Sequence, residues 1–338
     1  MKNITLFGII FLSFVFARRD CLQHAPRDVL GRIMRPNKDT LAISPSGHIH
    51  FDTLGNSAPD LTDSDGNGIP DYVDEVAMIA DSAHHVLVDL MDWEEEPFDG
   101  EGGYDIYIMS YAAGVYGYNY KDIGNTSYLQ IDNDYVGYDT NFDLEPIDIM
   151  RITVGHEYFH GIQWGYEENL GSNAYFYEMT SMWFEDILIP DGNDYIDGWA
   201  DVLLNDPREA FDNTGKGYEL ALFGHYLSSF VDIKGIENQK QSTIMREIWE
   251  RYQVFSSSAF SAVKYVLSSA YDRPFIEAWV DFISRNLYNG VYDNMDNPFY
   301  YYIDQSIVNP IYTFSTLLTD SSEFDLSLDN ESAAIESF

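Results

Sequence analysis

Histidine is scarce in this chain, with 8 copies against 26 tyrosines among 338 residues. Two of the eight stand in the run His156-Glu157-Tyr158-Phe159-His160. On a helix, positions i and i+4 are neighbours on one face, so both imidazoles can point at one ion. The spacing is H-E-x-x-H, and zinc is the metal such a pair favours. Zinc acidifies a water towards neutrality, and Glu157, beside the histidines, can take the proton as that water attacks a carbonyl. The competing explanation is accidental spacing, which the scarcity of histidine disfavours.

A catalytic zinc takes a third protein ligand and keeps a fourth position open. The extended form of the motif needs a glycine and a third histidine where this chain has Gln163 and Tyr166, so that solution is excluded. A glutamate on the following helix is the other common arrangement. Glu178 opens the segment Glu-Met-Thr-Ser-Met-Trp-Phe-Glu, which ends at Glu185. A short loop and one turn bring Glu178 opposite the histidines, and Glu185 lies further along a similar side. Acidic residues are abundant here, so the weaker explanation of either is surface charge. A developing oxyanion also needs a donor. Tyr218 and His225, both in Gly-Tyr-Glu-Leu-Ala-Leu-Phe-Gly-His-Tyr, are the candidates, although core packing is the plainer account of each.

A second metal pattern lies upstream. Asp63, Asp65, Asn67, the Ile69 carbonyl, Asp71 and Asp74 fall at positions 1, 3, 5, 7, 9 and 12 of an EF-hand-type calcium loop, with Gly68 at its sharp turn. No entering helix precedes it, so a structural calcium is expected rather than a sensor. A solvated acidic turn is the alternative. Asp132-Asn133-Asp134 is a weaker calcium candidate. His48 and His50 share one face of a strand without an evident third ligand, and His84 and His85 diverge on a helix.

These residues require particular elements to hold them. Pro146 opens a helix. Ile147, Met150, Val154, Tyr158 and Ile162 give it an apolar stripe, with His156 and His160 on a neighbouring face. Ser172 or Asn173 caps the next helix, which stops near Leu188 before Pro190. Alternation predicts strands at His48 to Asp52, Tyr104 to Ser110 and Ser127 to Ile131, and helical spacing runs from Val73 to Met91. Helices are expected over Tyr218 to Asp232, Ser242 to Tyr252, Ala259 to Ala270 and Pro274 to Leu287. The order predicts an α+β fold.

At the start of the chain, Lys2 and the apolar run Ile4 to Phe16, ending at Ala17, read as a signal peptide over residues 1–17, too short to span a bilayer. Residues 18–40 lack periodicity and read as an extended arm or pro-segment. They carry six of the eighteen Lys and Arg residues of a chain whose net charge is −38. That charge excludes nucleic acid as a partner and favours docking of the basic arm on the acidic body. Cys21, the lone cysteine, cannot form an internal disulfide, so stabilisation must come from elsewhere, bound calcium included. Its thiolate could fill the open zinc position and keep an enzyme latent; a free, disordered thiol is the plainer reading.

Taken together, the His-Glu-Tyr-Phe-His and Glu-Met-Thr-Ser-Met-Trp-Phe-Glu segments resemble the gluzincin type of zincin. More closely, the chain is similar to a group of secreted bacterial metalloproteases. These carry a calcium-loop sequence like Asp-Ser-Asp-Gly-Asn-Gly-Ile-Pro-Asp-Tyr-Val-Asp and a strand like Tyr-Asp-Ile-Tyr-Ile ahead of the zinc helix. The resemblance spans about residues 45–290. It implies zinc on His156, His160 and Glu178 with Glu157 as base. The element order would place that site in a cleft between a sheet-containing subdomain (41–165) and a helical one (166–318), and residues 319–338, rich in Ser, Asp and Glu, read as an acidic tail. The expectation is a secreted zinc metalloendopeptidase acting on protein or peptide, soluble once its signal is removed. An aminopeptidase ranks lower, because no Gly-x-Met-x-Asn motif is present. A non-enzymatic, calcium-stabilised surface or adhesion protein with a degenerate zincin fold is the alternative, against which the intact Glu157 argues.

Overall fold

The computed structural model describes residues 21–100, 102–138, 144–205, 211–212, 217–255, 258–293, 296, 298–309, 314–315 and 336–337. The expected signal peptide and nearly all of the acidic tail lie outside the described residues.

Six strands, all before residue 133, form one mixed sheet. They are β1 (Leu22–His24), β2 (Thr40–Ile43), β3 (Gly47–Phe51), β4 (Tyr104–Met109), β5 (Gly117–Lys121) and β6 (Ser127–Asp132), in the order β1-β5-β6-β4-β3-β2. β4 runs parallel to β3 and β6; β5 is antiparallel to β6 and parallel to β1. The pleat gives the sheet two apolar faces. Ile49, Ile106, Ile108, Leu129 and Ile131 belong to the main core, while Tyr107 and Tyr128 join Ala25 in a separate small cluster.

That second cluster docks the arm of residues 18–40 on the body. Its described part, from Cys21, supplies β1 and covers the sheet. β1, β2 and β5 carried no sequence expectation; each is short, and β5 (Gly-Tyr-Asn-Tyr-Lys) has no aliphatic alternation.

Eight α-helices occur among the described residues: α1 (Asp71–His84), α2 (Pro146–Tyr166), α3 (Ala174–Leu188), α4 (Asp201–Asn205), α5 (Ala221–Tyr226), α6 (Ile244–Phe255), α7 (Ala259–Ala270) and α8 (Phe275–Arg285). The protein is therefore mixed α and β, with the sheet first and helices dominating afterwards. α2 is central and packs on β5, β6, α1, α3 and α6. The expected single stripe understates it. From Ile152 to Trp164 every residue is buried, as fits a helix enclosed on all sides.

Two other expectations need adjustment. The helix predicted to Met91 is α-helical only to His84 and continues as a π-turn to Leu90. Asn173 stands at the N-cap of α3 without capping it; its Oδ1 instead accepts the Ala259 N–H at 3.0 Å, tying α3 to α7. No helix among the described residues is long and apolar enough to cross a membrane.

Candidate metal centre

Besides Thr153, which bonds back to its own helix, the most enclosed helix carries the polar side chains His156, Glu157, His160 and Gln163, each no more than 2% exposed. A buried polar group left unsatisfied costs roughly 1–3 kcal/mol, so packing alone does not account for four of them. α2 and α3 turn them towards one point. Glu178 Oε2 lies 3.2 Å from His156 Nε2 and 3.5 Å from His160 Nε2. Cys21 Sγ lies 3.1 Å from His160 Nε2, 3.6 Å from His156 Nε2, and 3.2 and 3.3 Å from the two Glu178 oxygens. One donor atom from each of the four residues falls within 4.8 Å of the others. Tetrahedral ligands at zinc-like bond lengths lie roughly 3.3–3.8 Å apart, so the donor set has the size and composition to hold a metal ion.

The charges point the same way. Burial, then Glu157 and Glu178, push the Cys21 thiol well above its ordinary value. Burial opposes charge on Glu178, yet the two imidazoles hold its carboxyl below the usual carboxylate range. Burial likewise opposes charge on His156, but its hydrogen bonds to Glu178 and Glu185, which accept, prevail and hold it up to about 10. His160 is lowered by burial. Several acids thus crowd two imidazoles, an environment that a bound cation neutralises and in which it would deprotonate the thiol.

Outer contacts fix the rings. His156 Nδ1 donates to Glu185 Oε2 at 3.0 Å, and His160 Nδ1 donates to Gln163 Oε1 at 2.7 Å. Gln163 is oriented in turn, because its Nε2 donates to Tyr177 O, Thr180 Oγ1 and Ser181 Oγ. Both Nε2 atoms therefore face the cluster, where a bound cation would take the place of the proton on His156. This separates the two glutamate candidates: Glu178 faces the Nε2 atoms and Glu185 the far side of one ring.

Glu157 is positioned from β5. A Cβ on Gly117 would sit 2.8 Å from Thr153 Cγ2, 2.9 Å from Gln130 O and 3.2 Å from Glu157 Cγ, so only glycine lets the strand approach this closely. Two residues on, Asn119 Nδ2 donates to Glu157 O and to Tyr104 Oη, both at 2.8 Å, and its Oδ1 accepts from Trp164 Nε1.

The two oxyanion candidates separate. Tyr218 Oη is 3.9 Å from Cys21 Sγ, and its ring is 6.0 Å from that of His156. The structure does not bring His225 to the cluster. Its Nδ1 donates to Gln239 Oε1 at 3.0 Å, its Nε2 faces Asp186, and its ring packs on Tyr195 and Tyr302. Burial lowers its pKa to about 4.

The acidic loop is exposed and leads into α1. Asp63 accepts the N–H groups of Gly66, Asn67 and Gly68. Asn67 Nδ2 donates to Asp65 and Asp74, and Ser64 donates to Asp71. Gly66 and Gly68 take positive φ, 75° and 92°, which fits the sharp turn. Asp65, Asp71 and Asp74 line one surface depression with Ser64; Ile69 follows the turn, its N–H donating to Asn67 Oδ1. Asp132, by contrast, is buried and accepts the Tyr111 and Tyr135 amides, and Asn133 donates to Asn56 O and Ala58 O. That segment reads as a turn lock. His50 donates to Asp105, His84 approaches Glu96 and Tyr158, and His85 pairs with Asp89.

In comparisons with known proteins, no family model and no curated protein sequence matches the chain.

Proposed function

We propose that the protein is a secreted zinc metallopeptidase of zincin type that hydrolyses peptide bonds in proteins or peptides. The observation that carries this is the meeting of Glu178 with the Nε2 atoms of His156 and His160, with Glu157 next to His156 on the same enclosed helix. His156, His160 and Glu178 would hold the ion. A zinc ion there supplies Lewis acidity, polarising a carbonyl and acidifying water. Glu157 acts as general base, held by the Asn119 contact to its carbonyl. Tyr218 donates to the oxyanion. Glu185 and Gln163 keep the imidazoles in the liganding tautomer. The sheet that precedes the metal helix, and the glutamate helix that follows it, support the zincin assignment. The apolar run after Lys2 supports export. The Asp63–Asp74 loop holds a structural calcium, with Asp63, Asp65, Asn67, the Ile69 carbonyl, Asp71 and Asp74 as ligands.

The test is metal analysis with peptide hydrolysis. Purified protein should carry about one zinc per chain, lost in His156→Ala. Casein digestion is followed in the wild type and in Cys21→Ser. Zinc content unchanged by His156→Ala overturns the metal site. Bound zinc without hydrolysis by either protein overturns the enzymatic assignment.

A further inference from the structure

Cys21 reaches the metal cluster as the residue immediately before the docked strand β1. Asn119 N donates to Cys21 O at 2.8 Å, Leu22, Gln23 and His24 pair with Asn119, Tyr120 and Lys121, and Ala25 N donates to Lys121 O at 2.8 Å. In the sheet order only β1 lies outside β5. β5 is also the strand that approaches Glu157 through Gly117 and holds it through Asn119. The sheet edge beside the candidate base is therefore occupied by this chain's own N-terminal segment. Added strands are a common way to bind extended peptides, because main-chain hydrogen bonds do not depend on sequence.

The segment is anchored well beyond the strand. Ala25 packs with Tyr107 and Tyr128, and Ile33 lies against them. Arg35 pairs with Asp99, Asp105 and Asp122, and its guanidinium lies 5.3 Å from the centre of the Tyr128 ring. Lys38 reaches Asp52 at 2.9 Å. Arg35 and Lys38 thus meet acids of the body, while Arg32 pairs with Asp28 inside the segment, and together these contacts hold the strand and its thiol in place.

We propose that residues 21–38 are a tethered inhibitor: Cys21 takes the open position of the metal while Leu22–His24 takes the place of an extended substrate peptide along β5. This rests on the metallopeptidase assignment above. On docking, the Sγ–H bond breaks with loss of the proton to solvent, an Sγ–metal bond forms, and the water there leaves. Release reverses each change, and β5 then exchanges β1 for substrate backbone. Tethered ligands reach effective concentrations of order millimolar. A segment that binds with an intrinsic constant of about 0.1 mM would leave roughly a tenth of the molecules open.

The test uses the full mature chain loaded with cobalt(II) in place of zinc, together with peptide hydrolysis by the zinc form. The wild type should show a thiolate-to-cobalt charge-transfer band that is absent in Cys21→Ser. Its thiol should resist a disulfide reagent until the metal is chelated. Cys21→Ser should hydrolyse peptide about tenfold faster or more. Arg35→Gln keeps the thiol but loosens the segment, and should show faster thiol labelling and partial activation. A cobalt-loaded wild type with no charge-transfer band and a freely reactive thiol overturns the inhibitor, and leaves the peptidase assignment standing if that same protein digests peptide. A charge-transfer band with no hydrolysis by any variant overturns both, making Cys21 a fourth ligand of a structural metal.

Discussion

Glu185 Oε2 sits 3.0 Å from Nδ1 of His156, and Glu178 Oε2 sits 3.2 Å from Nε2 of the same ring. Two glutamates of one helix thus hold one imidazole from opposite nitrogens, and only one of them shares the inward side with His160. Loss of a histidine's outer partner typically costs 10–100-fold in metal affinity. Glu185→Ala should fall in that range, and Glu178→Ala should cost more because a ligand is lost. Competition with a chromogenic chelator measures both. A larger loss in Glu185→Ala would exchange their roles.

Glu157 should be separable from metal binding. Glu157→Gln keeps the volume and removes the base, so zinc content should stay at the wild-type level. Hydrolysis, read in a Cys21→Ser background, should fall by about 10²–10⁴. Retained activity would move the base elsewhere.

Tyr218 and His225 make opposite predictions. Tyr218→Phe should lower kcat by about 10²–10³ with zinc retained, as loss of an oxyanion donor does. His225→Phe should leave hydrolysis near neutrality within a few-fold and instead change acid stability. Burial lowers the folded His225 pKa to about 4, against an unfolded value near 6.5. Between these values the unfolded chain binds the proton and the folded chain does not, so stability falls as pH drops through that window. The loss amounts to about 3 kcal/mol at the lower end. The groups facing His225 are Gln239, Asp186, Tyr195 and Tyr302. Urea midpoints at about pH 7.5 and about pH 4.5 should differ less in His225→Phe than in the wild type. A variant with unchanged midpoints and lost kcat would return His225 to the site.

The site was legible where chemistry fixes local spacing. His156, Glu157 and His160 lie within one helical turn and a residue, so sequence distance stands for spatial distance. Glu178 needed one short connection, and its helix was readable from Ser172 to Leu188. The rest depends on long-range pairing. Asn119 sits on β5, where Tyr118 and Tyr120 alternate with Gly117, Asn119 and Lys121, so a period of two was legible although no aliphatic residue marks it; the grip of Asn119 on Glu157 comes from tertiary packing that no period reports. Gln163 entered the sequence reading only as the residue standing where the extended motif needs glycine; its hydrogen bond to His160 lies within α2, and the contacts of its amide with α3 that orient it emerged only from packing. Cys21 was separable from a loose thiol only by parallel pairing with a strand nearly a hundred residues away, and sequence periodicity does not report register between strands. The helical stretches at Val73 and Tyr218 were bounded to within two residues, but parts of them are not α-helix: the first ends as a π-turn at His85–Leu90, and the second opens as a 3-10 turn at Tyr218–Leu220 and ends as a π-turn at Leu227–Val231, forms that share the apolar spacing of α-helix too closely to be distinguished.

The acidic loop supplies the last prediction. Asp63 accepts three backbone N–H groups within the loop itself, whereas among the described residues Asp74 accepts the Asn67 side-chain amide alone. Asp63 therefore organises the turn with or without a cation, and Asp74 offers mainly charge and a ligand atom. Calcium that binds the folded loop and not the unfolded chain should raise the wild-type Tm, by an amount that grows with the logarithm of its concentration. Asp63→Ala should lower Tm in chelator as well as in calcium. Asp65→Asn, which keeps an oxygen for the Asn67 amide and drops the charge, should lose much of the calcium-dependent rise while melting normally in chelator. Asp74→Ala should behave the same way, less a few tenths of a kcal/mol for removing an acid from the first turn of α1. Thermal melts of the four proteins in chelator and in calcium decide it: an unchanged wild-type Tm on adding calcium reduces the loop to an acidic turn held by its own hydrogen bonds.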